Sequence, residues 1–201
     1  MKKIVENESD ISFMDNSLFL IEHDIDLQNK RIYVFGSSNA LSLGIADLDT
    51  IAKGIKILDA INDKRPIEFI LSTSGGEDEI GVAIYDMIRA CLCKTRIICV
   101  GKCYSMGTVI LQAADERFSL FNTRFMIHEG SFDSDGSTAY ADVKDEMVEM
   151  KRLLDFMYTA YSERTNFSTK QLKLMLRRKD FYFDAEEALN HGFIDKIIKT
   201  Y

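Results

Sequence analysis

The chain has 201 residues, 46% hydrophobic and 28% charged, and a net charge of −7. Those values suit one soluble globular domain with a substantial core. The acidic balance argues against a nucleic-acid partner, which needs a basic face, and no apolar run approaches the ~20 residues required to cross a bilayer.

Met1 to Asn16 carries Glu6, Glu8, Asp10 and Asp15 with no clear period and reads as a mobile arm or loop. It turns acidic too soon for a secretory signal, so a cytoplasmic location is expected. Arg31 to Phe35, stopped by Gly36, reads as a strand. From Ala46 to Ile61 the residues Leu48, Ile51, Ile55, Leu58 and Ile61 recur at helical spacing. Pro66 precedes a second strand, Ile67 to Leu71, and the loop Ser72 to Gly76 follows it. An amphipathic helix is expected from Ile80 to Cys91, then a third strand over Thr95 to Val100 and a helical run over Thr108 to Ala114. This alternation predicts an α/β fold with parallel strands.

Two short strands, Arg117 to Phe121 and Arg124 to His128, come next, and then a polar, turn-rich stretch from Ser131 to Ser137. Tyr140 to Arg164 is the longest predicted helix, with Val143, Met147, Met150, Leu154, Met157 and Tyr161 forming one apolar stripe. Ser168 with Gln171, and Asp184 with Glu187, have capping-box spacing for two further helices, through Arg178 and up to Gly192. A last strand is expected around Phe193 to Ile198. No repeat, linker or low-complexity segment divides the chain, so 1–201 reads as a single domain.

Gly101 to Gly107, Gly-Lys-Cys-Tyr-Ser-Met-Gly, joins a buried strand to a helix and places Ser105 at the turn. A hydroxyl there projects from a sheet end toward unpaired backbone N–H donors, which suits a nucleophile; a helix N-cap explains the same serine. A serine nucleophile needs a base. Of the three histidines, His23 lies near the N-terminus and His191 at a helix end, whereas His128 closes an apolar strand and can stand at the same sheet edge as Ser105. A hydrogen-bonded structural histidine is the plainer account of it. Among 32 acidic residues, Asp180 stands between the basic Arg177, Arg178 and Lys179 and the aromatic Phe181-Tyr182-Phe183. It suits either a fixed third member of a triad or a charge pair with Arg177 or Arg178. Gly75-Gly76 and the Met106 N–H are candidate oxyanion donors, though a glycine pair also serves as a plain turn before a helix. Cys91, Cys93, Cys99 and Cys103 lack the spacing of a zinc site and read as buried reduced thiols.

Taken together, these segments resemble ClpP, the proteolytic subunit family of the ATP-dependent Clp protease. The resemblance rests on Ser-Thr-Ser-Gly-Gly at 72–76, Gly81 with Ile84-Tyr85-Asp86-Met87, and Gly101 with Tyr104-Ser105-Met106-Gly107. It continues through Asn122, Arg124, Met126-Ile127-His128, Asp180, Ala185, Glu187-Ala188 and Gly192 to Asp195. It implies an α/β ClpP/crotonase-like fold of repeated strand-strand-helix units, with an N-terminal arm over 1–25 and a protruding handle, a strand plus a long helix, over about 129–165. By the same resemblance Ser105 is the nucleophile, His128 the general base, Asp180 its orienting carboxylate, and Gly76 and Met106 the oxyanion-hole amides. No cofactor or metal is implied. Two stacked heptameric rings are implied, or mixed rings with another ClpP, fed with unfolded polypeptide by an AAA+ unfoldase that uses the ATP. Nucleic acid and membrane are not expected partners.

The chain departs from the family at several points. Ser74 stands where proline is usual, and Glu77 where an apolar residue is, so that Glu77, Asp78 and Glu79 make the rim acidic. Glu129-Gly130 replaces glutamine-proline after His128, and strand alternation would turn Glu129 away from the catalytic face. At the unfoldase-docking pocket Glu68, Ile70 and Ala90 occupy matching positions, and a carboxylate without a partner in an apolar groove would oppose insertion of a hydrophobic loop. The altered loop around Ser74 and Glu77 keeps a second reading in view, a catalytically inactive or regulatory ring subunit. A third reading, an enoyl-CoA hydratase-like enzyme, would not require the Ser105, His128 and Asp180 set.

Overall fold

The computed structural model describes residues 8–36, 41–61, 64–130, 140–177 and 179–201. The chain begins with α1 (Glu8–His23) and a short hairpin of β1 (Ile25–Asp26) and β2 (Arg31–Val34). The arm or loop expected over Met1 to Asn16 is therefore helical from Glu8 onward. Ile11, Met14, Leu18 and Ile21 do recur at three- and four-residue steps, a pattern masked by the acidic residues between them.

β3 (Ser42–Leu43), α2 (Ile45–Asp59), β4 (Ile67–Thr73), β5 (Gly75–Gly76) and α3 (Asp78–Arg89) follow. Then come β6 (Thr95–Tyr104), α4 (Met106–Leu111), β7 (Glu116–Leu120) and β8 (Arg124–Ile127). The C-terminal part holds α5 (Tyr140–Arg164), α6 (Thr169–Leu176), β9 (Phe181–Phe183), α7 (Ala185–Asn190) and β10 (Lys196–Ile198). The expected loop at 72–76 is in part a two-residue parallel strand, with Ser42 and Leu43 pairing Gly75 and Gly76. The sixth helix stops at Leu176, short of the expected Arg178, which lies outside the described residues along with 131–139.

The main sheet runs β1-β2-β4-β6-β7-β10, parallel from β2 to β10. Parallel strands demand crossovers, and α2 and α3 supply them as amphipathic helices. Ile51 and Leu58 of α2 and Ile84 and Ile88 of α3 are buried against Ile32, Phe69, Leu71 and Ile97 of the sheet. Each such side chain contributes about 2 kcal/mol on burial.

The opposite face carries an ionic row. Arg31, Glu68, Arg96 and Glu116 are register partners on β2, β4, β6 and β7. Glu68 accepts from Arg31 Nε and Arg96 Nη1, each at 2.7 Å, and Arg96 also bonds Glu116. Glu68 is thus not the partnerless carboxylate expected at the docking position. The pairing needs three strands in register, which no local pattern reveals.

β6 is the long strand that builds the site. Its first half pairs β7 and its last three residues, Lys102 to Tyr104, pair β8, with Gly101 at φ +71 marking the change of partner. Antiparallel β9 covers the far side of β8, where Phe125 stacks on Phe183 at 5.4 Å. Both predicted capping boxes form, Ser168 with Gln171 and Asp184 with Glu187. α5 occupies the expected range, but its stripe is buried only toward the C-terminal end. Met157 and Tyr161 lie in the core, whereas Met147 is 62% exposed. No helix among the described residues is long and apolar enough to cross a membrane.

Candidate active site

Ser105 occupies the one-residue turn between β6 and α4, at φ +51 and ψ −124. A side chain with a Cβ rarely adopts positive φ, and holding it there costs on the order of 1–3 kcal/mol. The surroundings supply the restraint. The Ser105 N–H donates to the Met126 carbonyl at 2.8 Å, and the Ser105 carbonyl accepts from the N–H and the hydroxyl of Thr108, at 2.9 and 2.6 Å. The Thr108 hydroxyl in turn meets the buried Tyr161 hydroxyl at 2.7 Å. Gly75 passes directly beneath, where a Cβ would stand 2.7 Å from that of Ser105. Only glycine allows this approach, and its φ of +95 requires glycine as well.

β8 ends one residue before His128, at the same sheet edge. His128 Nε2 and Ser105 Oγ are 2.7 Å apart. On the other side, the β8–β9 ladder pairs Phe125 with Phe183, Met126 with Tyr182 and Ile127 with Phe181. One further step sets Asp180 opposite His128, and Asp180 Oδ1 lies 3.6 Å from His128 Nδ1. The Asp180 side chain is 51% exposed. Among the described residues its ionic contact is with His128 and not with Arg177, while Arg178, the other alternative open from sequence, lies outside them.

Met106 is the first residue of α4, so its N–H lies among those that helices leave without an internal acceptor. Gly76, next to the glycine beneath Ser105, pairs with Leu43. The structure therefore brings Ser105, His128 and Asp180 together and sets Met106 and the Gly75-Gly76 strand against them. His23 stands 48% exposed beside Glu22, and His191 lies among Phe167, Phe181 and Phe183, both away from Ser105.

A small cavity opens on the Ser105–His128 pair. Met150, Leu153, Leu154 and Met157 of α5 wall one side, and Asp78 and Glu129 add carboxylates. Burial raises the Asp78 carboxyl above its ordinary value of 3.8, and its electrostatic interaction with His128 partly opposes that shift. Glu129 does not turn away as strand alternation suggests. β8 has already ended at Ile127, so the alternation no longer applies, and the Glu129 carboxylate accepts from the Tyr158 hydroxyl on α5. Glu129 and Tyr158 are the site-adjacent pair that sequence reasoning missed. Cys99 and Cys103 are buried free thiols, and Cys91 and Cys93 are half-buried ones. Among the described residues no cluster of three or more potential metal ligands occurs.

The chain is 35% identical over 152 residues to the ATP-dependent Clp protease proteolytic subunit of Deinococcus radiodurans, covering 75% of this chain and 73% of that one. It is 30% identical over 154 residues to proteolytic subunit 2 of Chlamydia pneumoniae, covering 76% and 74%. Among solved structures, a ClpP1 mutant from Listeria monocytogenes superposes with a TM-score of 0.75 at 25% identity, over 91% of this chain and 96% of that one. The Clp protease family matches residues 22–201. With the α/β sheet and the strand-to-helix serine already described, that match establishes that the chain belongs to the Clp protease family.

Proposed function

We propose that this chain is a serine endopeptidase that hydrolyses unfolded polypeptides through an acyl-enzyme. The observation that carries the reading is the 2.7 Å pairing of Ser105 Oγ with His128 Nε2 at a serine held in a strained turn. Ser105 attacks the scissile carbonyl as its proton passes to Nε2, and the imidazolium then protonates the departing amine. Water repeats the sequence and releases the acid. Asp180 faces Nδ1 and favours the tautomer with its proton there, leaving Nε2 free to accept. The N–H groups of Gly76 and Met106 stabilise the oxyanion.

Membership of the family supports the remaining assignments: two stacked heptameric rings, or mixed rings with a second ClpP, joined through a handle over about 129–165. The N-terminal arm is assigned to 1–25. An AAA+ unfoldase delivers the polypeptide and uses the ATP, and the peptidase needs no cofactor.

The half-exposed Asp180 at 3.6 Å from His128 favours one second reading, a ring subunit without activity of its own. Fluorophosphonate labelling of purified protein, read by intact mass beside a Ser105→Ala control and a sizing run, separates the two. Labelling of the wild type alone supports the peptidase. A correctly sized ring that resists the probe overturns it in favour of the inactive subunit.

A further inference from the structure

We infer that Tyr158 is a positioning residue: by donating its hydroxyl to Glu129 it ties the backbone beside His128 to α5, so that His128 meets Ser105 only while α5 is docked. The inference rests on the reading of Ser105 and His128 as the peptidase pair.

After β8 ends at Ile127, no further ladder pair is present among the described residues. His128 and Glu129 are half-buried, and Gly130 has φ +80, with nothing among the described residues within 4 Å of where a Cβ would be. A proline, with φ fixed near −65°, could not make this turn. Between Ile127 and that turn, the contact between Glu129 and Tyr158 ties the segment directly to α5.

The anchor itself is firm. Tyr158 is 2% exposed, and its neighbours Met157, Ala160 and Tyr161 are buried with it. Lys173 of α6 lies 5.1 Å from the centre of the Tyr158 ring and bonds Asp155 one turn earlier, at 2.9 Å. Burial and the Glu129 carboxylate hold the phenol above its ordinary value of 10, so it remains a donor throughout the working pH range.

The same helix also walls the cavity at Ser105 through Met150, Leu153, Leu154 and Met157. One rigid element therefore shapes the space for substrate and, one residue after Met157, fixes the segment that carries the base. A histidine with a soft backbone loses alignment readily, and misplacement by about 1 Å costs on the order of 100-fold in rate. The phenol–carboxylate bond is charge-assisted, the stronger class of hydrogen bond, and suits such a restraint.

The test combines peptide hydrolysis with spectra of protein carrying 13C-labelled histidine, whose three residues include His23 and His191 as internal references. Tyr158→Phe keeps the ring and removes only the hydroxyl. It is expected to lower kcat about tenfold, ~1.4 kcal/mol in the barrier, with KM unchanged. Glu129→Ala should match it, and Glu129→Gln, which retains an acceptor, should rescue the rate. The double variant Glu129→Ala/Tyr158→Phe should be no worse than either single one, because both remove one bond. The His128 resonance should shift in Tyr158→Phe and Glu129→Ala while those of His23 and His191 stay. An unmoved His128 signal in Tyr158→Phe, or single losses that multiply, overturns the inference. A wild type that neither hydrolyses peptide nor reacts with fluorophosphonate defeats the proposed function instead, and the histidine spectra still decide the positioning role.

Discussion

His128 Nδ1 and Asp180 Oδ1 stand 3.6 Å apart, one register step beyond the Ile127–Phe181 pair that closes the β8–β9 ladder. The ladder thus aims the carboxylate at the ring, but the contact is longer than a hydrogen bond and half in solvent. Water screens it, so its worth falls below that of a buried triad carboxylate, whose loss costs about 10⁴-fold. Asp180→Asn is expected to reduce kcat/KM by about 10²-fold, through the tautomer rather than through binding. Initial rates on a fluorogenic peptide measure this, and an undiminished rate would remove Asp180 from the mechanism.

Ser105, the proposed nucleophile, provides a second test, since backbone strain at such a residue is stability given up for geometry. At φ +51, replacement by glycine relieves the backbone, although glycine also adds entropy to the unfolded chain. The net expectation is that Ser105→Gly is more stable than the wild type by about 1 kcal/mol. Ser105→Ala keeps the strain and should gain nothing. Chemical denaturation of all three proteins checks the order, and equal midpoints for the glycine and alanine variants would deny the strain.

Local pattern made much of this molecule legible. The spacing of Leu48, Ile51, Ile55 and Leu58 marked α2, and the boxes at Ser168 and Asp184 marked the starts of α6 and α7, because helices are written in neighbouring residues. Ser105 and His128 were legible as ends of apolar strands. What local pattern could not show is register. The row from Arg31 to Glu116 depends on how four strands slide past one another, and Gly75-Gly76 is too short a strand to have a period. The direction of Glu129 depended on β8 stopping at Ile127, a boundary that alternation alone does not set.

Arg117 ties the C-terminal segment to the sheet and sets an acid limit on stability. It is 7% exposed on its side chain and donates to Asp195, to Gln112 and to the carbonyls of Arg164 and Gly192. Replacing it with methionine strands those acceptors and should cost about 3 kcal/mol. Burial alone would raise the Asp195 carboxyl, but hydrogen bonds and charge from Arg117 outweigh it and hold the group below 3.8. A depressed folded value means the stabilisation is present above the unfolded value, and is lost as pH falls from about 3.8 through the folded one. Asp195→Asn should therefore flatten the acid limb of a stability-against-pH curve in that window, and an unchanged limb would show that Arg117 acts through its other partners.

The acidic rim should decide which peptides are cut. Asp78 belongs both to the cavity at Ser105 and to a wider groove of about 1180 Å³, to which α5 adds Asp145, Glu146 and Glu149. Among the described lining residues the one cation, Arg152, is paired with Glu149 at 2.5 Å. A peptide carboxylate placed here meets uncompensated negative charge, worth about 1 kcal/mol at 4 Å in water and more where water is excluded. Peptides with glutamate beside the scissile bond should show kcat/KM about tenfold below glutamine counterparts, and lysine counterparts should do at least as well as glutamine. Because burial raises the Asp78 carboxyl, its charge forms at a higher pH than in a free aspartate. Discrimination against glutamate should therefore strengthen as rising pH ionises Asp78, later than it would with an ordinary aspartate, and Asp78→Asn should weaken it. Equal rates across the charge-varied panel would show that substrate approaches Ser105 by a path that avoids Asp78.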